Sequence, residues 1–325
     1  MNVVADKIAE LRRKFPALIV RENATLVSYT TLMAGGPARW LVEVRDADTL
    51  AGVAALSQTL AIPHITLGSG TNILPADQGF PGLAIVNLCR RMYFGKTQYA
   101  ECGCWFQDVF LQAAQRGLSG LEFAVGIPGT LGGALVSNAG AYRSNIADLL
   151  TEVELVRDGD RRWVLPEYLE FRYRHSILRR NDPPAITLLA VKMKLEPGEP
   201  KHIYDQARDY QRQRISKQPP HPSAGSFFKN VQSHDLAQQL PNLPEKMKDA
   251  GVVPAGFLIE ACGLKGARRG GAAISGRHGN FLCNVGGAKA TDIRGLAEMI
   301  REAVLKRFDV QLEEEVLYIG DWMPR

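Results

Sequence analysis

Near the amino terminus Ile8, Leu11 and Phe15 recur at helical spacing while Asp6, Lys7, Glu10, Arg12 and Arg13 fill the opposite face, which predicts a surface helix over residues 5–15. A small-residue turn then feeds the apolar run from Trp40 to Val44, which reads as a strand. Asp48 is the expected cap of a helix from Thr49 to about Leu60. The segment ITLGSGTNILPADQGFPGLAIVNL follows as strand, glycine loop and strand, and this β, α, β alternation predicts an α/β unit. Residues 105–116 read as a short helix with Val109, Phe110 and Ala113 inward. TEVELV, RRWVL and AITLLAVKMKL are strand-like runs with turn signals at Asp158-Gly159 and Pro183-Pro184. The linker-like EPGEPK sets a domain boundary near 200, before a basic helix from Ile203 to about Ile215. A solvated face and a functional role both stay open for Arg208, Arg212 and Arg214. The last helix opens with Thr291 as cap and Asp292 in its first turn, and buries Ile293, Leu296, Ile300, Val304 and Phe308. A closing strand runs from Glu315 to Ile319.

The pattern breaks at residues 117–142, GLSGLEFAVGIPGTLGGALVSNAGAY, where glycines punctuate apolar segments with hardly a charge. Glycine at that density lets the backbone adopt positive φ and bring N–H donors close to an anion, so the stretch can cradle a phosphate-bearing cofactor. A turn packed for shape alone is the other open reading. The earlier loop, Gly68, Ser69, Gly70, Thr71 and Asn72, invites the dinucleotide fingerprint, yet Ile73 stands where the third glycine belongs and Pro75 follows where the phosphate helix should run. No glycine run is followed by GK[ST], which excludes a P-loop. Two glycine loops about sixty residues apart therefore suggest the two sides of one diphosphate.

The 325 residues, 46% hydrophobic and 22% charged, suffice for two or three cores. The net charge of +5 is scattered rather than clustered, which favours an anionic small molecule over nucleic acid. The charged amino terminus lacks the apolar centre of a signal peptide, and no run reaches the ~18 apolar residues of a membrane span, so a cytoplasmic enzyme without membrane attachment is expected. Cys89, Cys102, Cys104, Cys262 and Cys283 are odd in number and contain no CxxC pair; reduced, mostly buried thiols are expected, and no metal site.

Seven segments in order carry a family resemblance: TTLMAGGPARWLVEV at 30, LGSGTNIL at 67, the glycine-rich stretch at 117, FRYRHS at 171, PSAGSFFKN at 222, AGFLIEACGLKG with GGAAISGRHGNF at 255–281, and LEEEVLYIG at 312. With them the chain resembles the UDP-N-acetylenolpyruvoylglucosamine reductases, the flavoenzymes called MurB. The resemblance implies an α+β fold built of α/β units. A two-subdomain FAD-binding fold of the vanillyl-alcohol-oxidase type would span 1–88 and 89–199, a separate α/β substrate-binding domain 200–310, and a carboxy-terminal strand 311–325. It also implies that Gly68 to Asn72 and a second loop, Gly126, Ile127, Pro128, Gly129, Gly132, Gly133 and Ala134, hold the FAD diphosphate. The first loop contains no histidine to attach FAD covalently, so a non-covalent cofactor is expected.

In this family NADPH reduces FAD, and the enolpyruvyl group of UDP-N-acetylglucosamine-enolpyruvate then takes a hydride and a proton. The resemblance assigns Arg174, in FRYRHS, to the substrate carboxylate and the developing enolate, Ser226, in AGSFFKN, to the proton donor, and Glu315, in LEEEV, to the enol intermediate. Lys217, Asn230 and His278 match substrate contacts. Only about eight residues separate His175 from the strand at Ala185, so the shorter family architecture, without an inserted tyrosine loop, is expected. Another FAD-dependent oxidase or dehydrogenase of the same superfamily is the alternative; it would need neither AGSFFKN nor LEEEV.

Overall fold

The computed structural model describes residues 3–215 and 218–322, with side chains from residue 6 onward. Among them the chain divides into two compact units, one drawn from residues 3–24, 38–70 and 80–215, the other from 25–37, 71–79 and 218–322.

The first unit holds two larger sheets, of four and five strands, besides two two-stranded ladders. Strands Pro37–Val44, Phe80–Asn87 and His64–Leu67 run parallel, in that spatial order, with Arg21–Thr25 beside the first. Helix Ala47–Thr59 connects two of them, as a parallel pair requires. Its cap is Asp46 rather than Asp48: the Asp46 carboxylate accepts the Thr49 N–H (2.8 Å). Asp48 lies inside the first turn, where Arg161 (2.6 Å) holds its carboxyl below the ordinary value. A second sheet is antiparallel throughout, in the order Asp160–Val164, Leu150–Arg157, Ile186–Met193, Gln98–Glu101, Met92–Phe94. Leu50 and Val53 of the helix share one core with Val42 and Ile85 of the parallel sheet and Val156 and Leu189 of the antiparallel one. Each such buried side chain contributes about 2 kcal/mol of transfer free energy, which ties both sheets to one helix. The expected amino-terminal helix spans Val3–Lys14, with Ile8 and Leu11 buried.

Helix Pro200–Ile215 corrects the boundary near 200. Ile203 and Ala207 are buried in the core of the antiparallel sheet, and Tyr204 meets Phe110 edge-on (6.5 Å), so the helix belongs to the first unit. EPGEPK comprises the short strand Glu196–Pro197, paired with Leu118–Ser119, and the start of that helix, all within the first unit.

The second unit joins distant segments. Strands Arg268–Arg269, Ala272–Ile274 and Leu282–Asn284 form an antiparallel sheet, and helix Ala290–Phe308 buries Ile293, Leu296, Ile300 and Val304 in the same core. Phe308 is only partly buried. Thr291 is not the cap of that helix. Asp77, more than two hundred residues upstream, accepts from Ala290 N–H (2.7 Å), Thr291 N–H (3.0 Å) and the Thr291 hydroxyl (2.8 Å), a carboxylate on a helix amino terminus. Ile73–Pro75 pairs in parallel with Leu317–Ile319, and Asn284 donates to Leu32 O (3.1 Å) and Met33 O (3.0 Å). Segments 25–37 and 71–79 thus fold with the second unit, although they lie inside the span expected for the first FAD-binding subdomain. The closing strand begins at Leu317, leaving Glu315 just outside it. No helix among the described residues is long and apolar enough to cross a membrane.

Candidate active site

In the first unit the two glycine loops meet. A Cβ on Gly68 would fall inside the Thr130 hydroxyl, so the close approach requires glycine there. Gly70, Gly126 and Gly129 have φ of +61°, +70° and +124°, the left-handed conformations anticipated for a cradle rather than a plain helical entry. Not every N–H of the second loop faces outward. Ile127 donates to Ala124 O (3.0 Å), Leu131 to Cys104 O (2.8 Å), Gly132 to Cys102 O (2.8 Å), Gly133 to Thr130 Oγ1 (3.3 Å) and Ala134 to Thr130 O (2.9 Å). These residues supply shape, and Gly68, Ser69, Gly70, Gly126 and Gly129 are left as the donors that can meet an anion. Two orphaned polar atoms support such a ligand: Ser69 Oγ and Arg214 Nε are buried with no hydrogen-bond partner. A buried donor without an acceptor costs about 1–3 kcal/mol, so a phosphate or flavin oxygen supplied by FAD fits the chemistry of this cradle.

Arg214 is one of the three arginines for which the sequence left both roles open. It is half-buried against Gly126, where a Cβ would stand 3.2 Å from its Cδ, and its guanidinium lies 5.8 Å from the Tyr142 ring. Tyr142 in turn stacks on Tyr210 at 3.7 Å and donates to Tyr210 O (3.0 Å). Burial pulls the Arg214 pKa below its ordinary value, opposed by Tyr142 and aided by the like charge of Arg174. Arg174 is near enough for its like charge to act on Arg214, and two such positive charges favour an anion there.

Arg174 is at the tip of a tight hairpin. Arg172 and His175 exchange both main-chain hydrogen bonds (3.1 Å each), and Arg174 takes φ +51°. A left-handed arginine costs on the order of 1 kcal/mol and persists only where its surroundings impose it. Asn138 is one cause: buried, it donates from Nδ2 to Arg172 O (3.1 Å) and accepts the Ala147 N–H (3.2 Å). Ser176 Oγ donates to Val136 O (2.7 Å) on the other flank. FRYRHS is therefore carried by the end of the glycine-rich stretch itself.

The second unit places Ser226 and Glu315 on neighbouring extended segments. Glu315 N–H donates to Phe227 O (2.7 Å), and Lys229 N–H to Glu313 O (2.9 Å). Phe227 and Phe228 are buried, while Ser226 is exposed and Glu315 half-buried. Asn280, itself buried, clasps the serine segment. Its carbonyl accepts the Phe227 N–H (2.8 Å), its Oδ1 the Phe228 N–H (2.9 Å), and its Nδ2 donates to Phe228 O (2.8 Å). His278 Nδ1 accepts the Asn280 N–H (3.1 Å), so a neutral ring carries its proton on Nε2. Asn230 is exposed, and its Oδ1 accepts the Ala255 N–H (3.3 Å) at the start of helix Ala255–Ala261. Lys217 lies outside the described residues.

Ser226, Glu315, Asn230 and His278 are thus gathered in one unit, and the glycine loops with Arg174 in the other, Thr71 and Asn72 excepted. Asn138 and Asn280 escaped sequence reasoning because a lone asparagine carries no periodic signal; SNAGAY and HGNF contained them without revealing which backbone they hold.

Residues 38–164 match the FAD binding domain family, and residues 217–319 match the carboxy-terminal domain of UDP-N-acetylenolpyruvoylglucosamine reductase. The UDP-N-acetylenolpyruvoylglucosamine reductase of Rubrobacter xylanophilus is 38% identical over 96% of this chain and 98% of its own length. The protein of the same name from a Synechococcus strain is 38% identical over 93% and 92%. The crystal structure of the Thermus caldophilus reductase, MurB, superimposes with a TM-score of 0.75 at 33% identity, covering 93% of this chain and all of that one. Identity at this level over nearly whole chains, together with a shared fold, establishes that the chain belongs to the UDP-N-acetylenolpyruvoylglucosamine reductase family.

Proposed function

We propose that the chain reduces the enolpyruvyl group of UDP-N-acetylglucosamine-enolpyruvate to give UDP-N-acetylmuramate, a peptidoglycan precursor, with NADPH as electron donor and non-covalent FAD. The observation that carries this reading is the bond from Glu315 N–H to Phe227 O, because it ties the backbone that bears Glu315 to the segment that bears Ser226, two stretches far apart in sequence. When bound, FAD supplies the hydride that adds to the substrate's methylene carbon. The electron pair of the double bond then moves toward the carboxylate, and the guanidinium of Arg174 holds that charge as it develops. Ser226 Oγ–H gives its proton to the carbon bearing the ether oxygen and is reprotonated from solvent. A hydroxyl is a weak acid, and the reaction needs it only because the enolate is a strong base. Glu315 orients the enol, and Asn230, His278 and Lys217 serve the UDP-sugar.

Gly68 to Gly70, with Gly126 and Gly129, hold the FAD diphosphate through backbone N–H groups, and the neighbouring loop residues shape the cradle. The first unit accordingly holds the cofactor and contributes Arg174 to the substrate, and the second carries the other substrate residues. Between His175 and strand Ile186–Met193 there is one short turn, Ile177–Arg179, in keeping with the shorter form of the family. Cytoplasmic NADPH and a UDP-sugar put the enzyme in the cytoplasm.

The test is the absorption spectrum of the purified protein followed by anaerobic mixing with NADPH and then with substrate. A flavin band that bleaches with NADPH and returns with UDP-N-acetylglucosamine-enolpyruvate is expected. A flavin that the substrate does not reoxidise overturns the reading.

A further inference from the structure

We infer that Asn72, despite its place in the first glycine loop, is a positioning residue for Glu315 rather than a ligand of the cofactor. The inference rests on the reading of Glu315 as a residue of the reduction site.

Glu315 lies two residues before the register of Ile73–Pro75 with Leu317–Ile319 begins. The Asn72 side chain extends the contact to Glu315, with Nδ2 donating to Glu315 O (2.9 Å) while Leu317 N–H donates to Asn72 O (3.0 Å). A main-chain carbonyl can only accept, so the amide nitrogen must face it, and the orientation of this amide is fixed by chemistry. On its other edge Glu315 N–H is bonded to Phe227 O (2.7 Å), next to Ser226. Both main-chain groups of Glu315 are therefore pinned, one by the serine segment and one by Asn72, and the direction in which its Cβ leaves the backbone is set. Aspartate would present oxygen to oxygen at this point, and serine would be too short to span it. The residue two places earlier, Gly70 with φ +61°, turns the chain from the phosphate cradle into the segment that bears Asn72. One stretch of chain thus changes task between Gly70 and Asn72: donors for an anion before, a brace for a carboxylate after.

The experiment uses the holoenzyme with Asn72→Asp, Glu315→Gln and the double variant, measuring FAD dissociation by fluorescence, flavin reduction by NADPH, and reoxidation by substrate. Displacing a reacting group by about 1 Å costs up to about a hundredfold, so Asn72→Asp is expected to slow reoxidation by about ten- to a hundredfold. FAD affinity should stay within about threefold, and in the Glu315→Gln background the same change should cost less than about twofold, since residues acting through one another are not additive. Asn72→Ala, which removes the donor without adding charge, carries the same comparison where the charged variant does not assemble. FAD affinity falling tenfold or more with unchanged reoxidation would show a cofactor ligand and overturn the proposal. An equal cost of the Asn72 change in both backgrounds would mean general destabilisation and overturn it as well. A Glu315→Gln variant that reoxidises at the normal rate would instead overturn the reading of Glu315, and the single variant reveals this alone.

Discussion

The cofactor cradle and the Ser226–Glu315 pair achieve fixed geometry by opposite means. In the first unit the proposed chemistry rests on the backbone: glycines with positive φ shape the cradle, and even Arg174 has a left-handed main chain. In the second unit the proposed functional groups are side chains, and asparagine contacts from buried Asn280 and part-buried Asn72 hold the extended segments that bear them. A diphosphate is large, fully charged and bound throughout, so diffuse backbone donors suit it. A proton transfer needs one hydroxyl at one carbon, which only a side chain on a clamped segment can provide. Damage in the two regions should therefore appear in different half-reactions.

The largest effect expected is that of Ser226→Ala on reoxidation of the reduced enzyme by substrate, a loss of about 10²–10⁴-fold, the usual worth of a positioned acid. Flavin reduction by NADPH should change by less than about twofold in the same stopped-flow series. Equal losses in both steps would erase the division of labour between the units. Gly68→Ala is the converse probe. Its Cβ would collide with the Thr130 hydroxyl, and overpacking of that kind costs about 1–3 kcal/mol, so FAD should bind about ten- to a hundredfold more weakly by fluorescence titration. The Ser226 step, measured at saturating FAD, should be nearly unchanged.

The smallest effect concerns pH. In the first unit burial pushes the Cys89 and Cys104 thiols from 9.0 up to about 12, and Cys102 well above 9.0; in the second, Cys283 rises to about 11 and Cys262 less. These groups remain protonated in the folded chain while the unfolded chain would ionise them. Their contribution to stability is therefore complete below about pH 9 and declines as pH rises through 11–12, by at most about 1.4 kcal/mol per thiol per pH unit. Urea unfolding between pH 8 and 11 should reveal the first unit weakening more steeply, followed by a probe in each unit. A steeper loss in the second unit would reverse that expectation.

Much of this was legible in the amino-acid order. Helices with an apolar stripe, such as Val3–Lys14 and Ala290–Phe308, announce themselves because burial repeats every three to four residues. The glycine loops announce themselves because few other residues tolerate positive φ. Capping was less legible: Asp46 and Asp48 are chemically alike, and only the φ of −133° at Asp46 marks it as the residue outside the helix. Helix Ala290–Phe308 has Lys289 as its N-cap, and the carboxylate that takes its first N–H groups comes from Asp77, across a distance to which no local pattern points.

By itself the sequence determined which segments are helix, strand or glycine turn, and its ordered motifs determined the family. These are matters of side-chain period and local backbone freedom, both written in neighbouring residues. Tertiary structure alone decided that Pro200–Ile215 belongs with the first core, that 71–79 folds with the carboxy-terminal strand, and that Asn72 braces Glu315. Those outcomes depend on buried faces and polar groups finding partners far along the chain. A residue's own neighbours state its need for such a partner, but only the packed fold supplies the partner's identity.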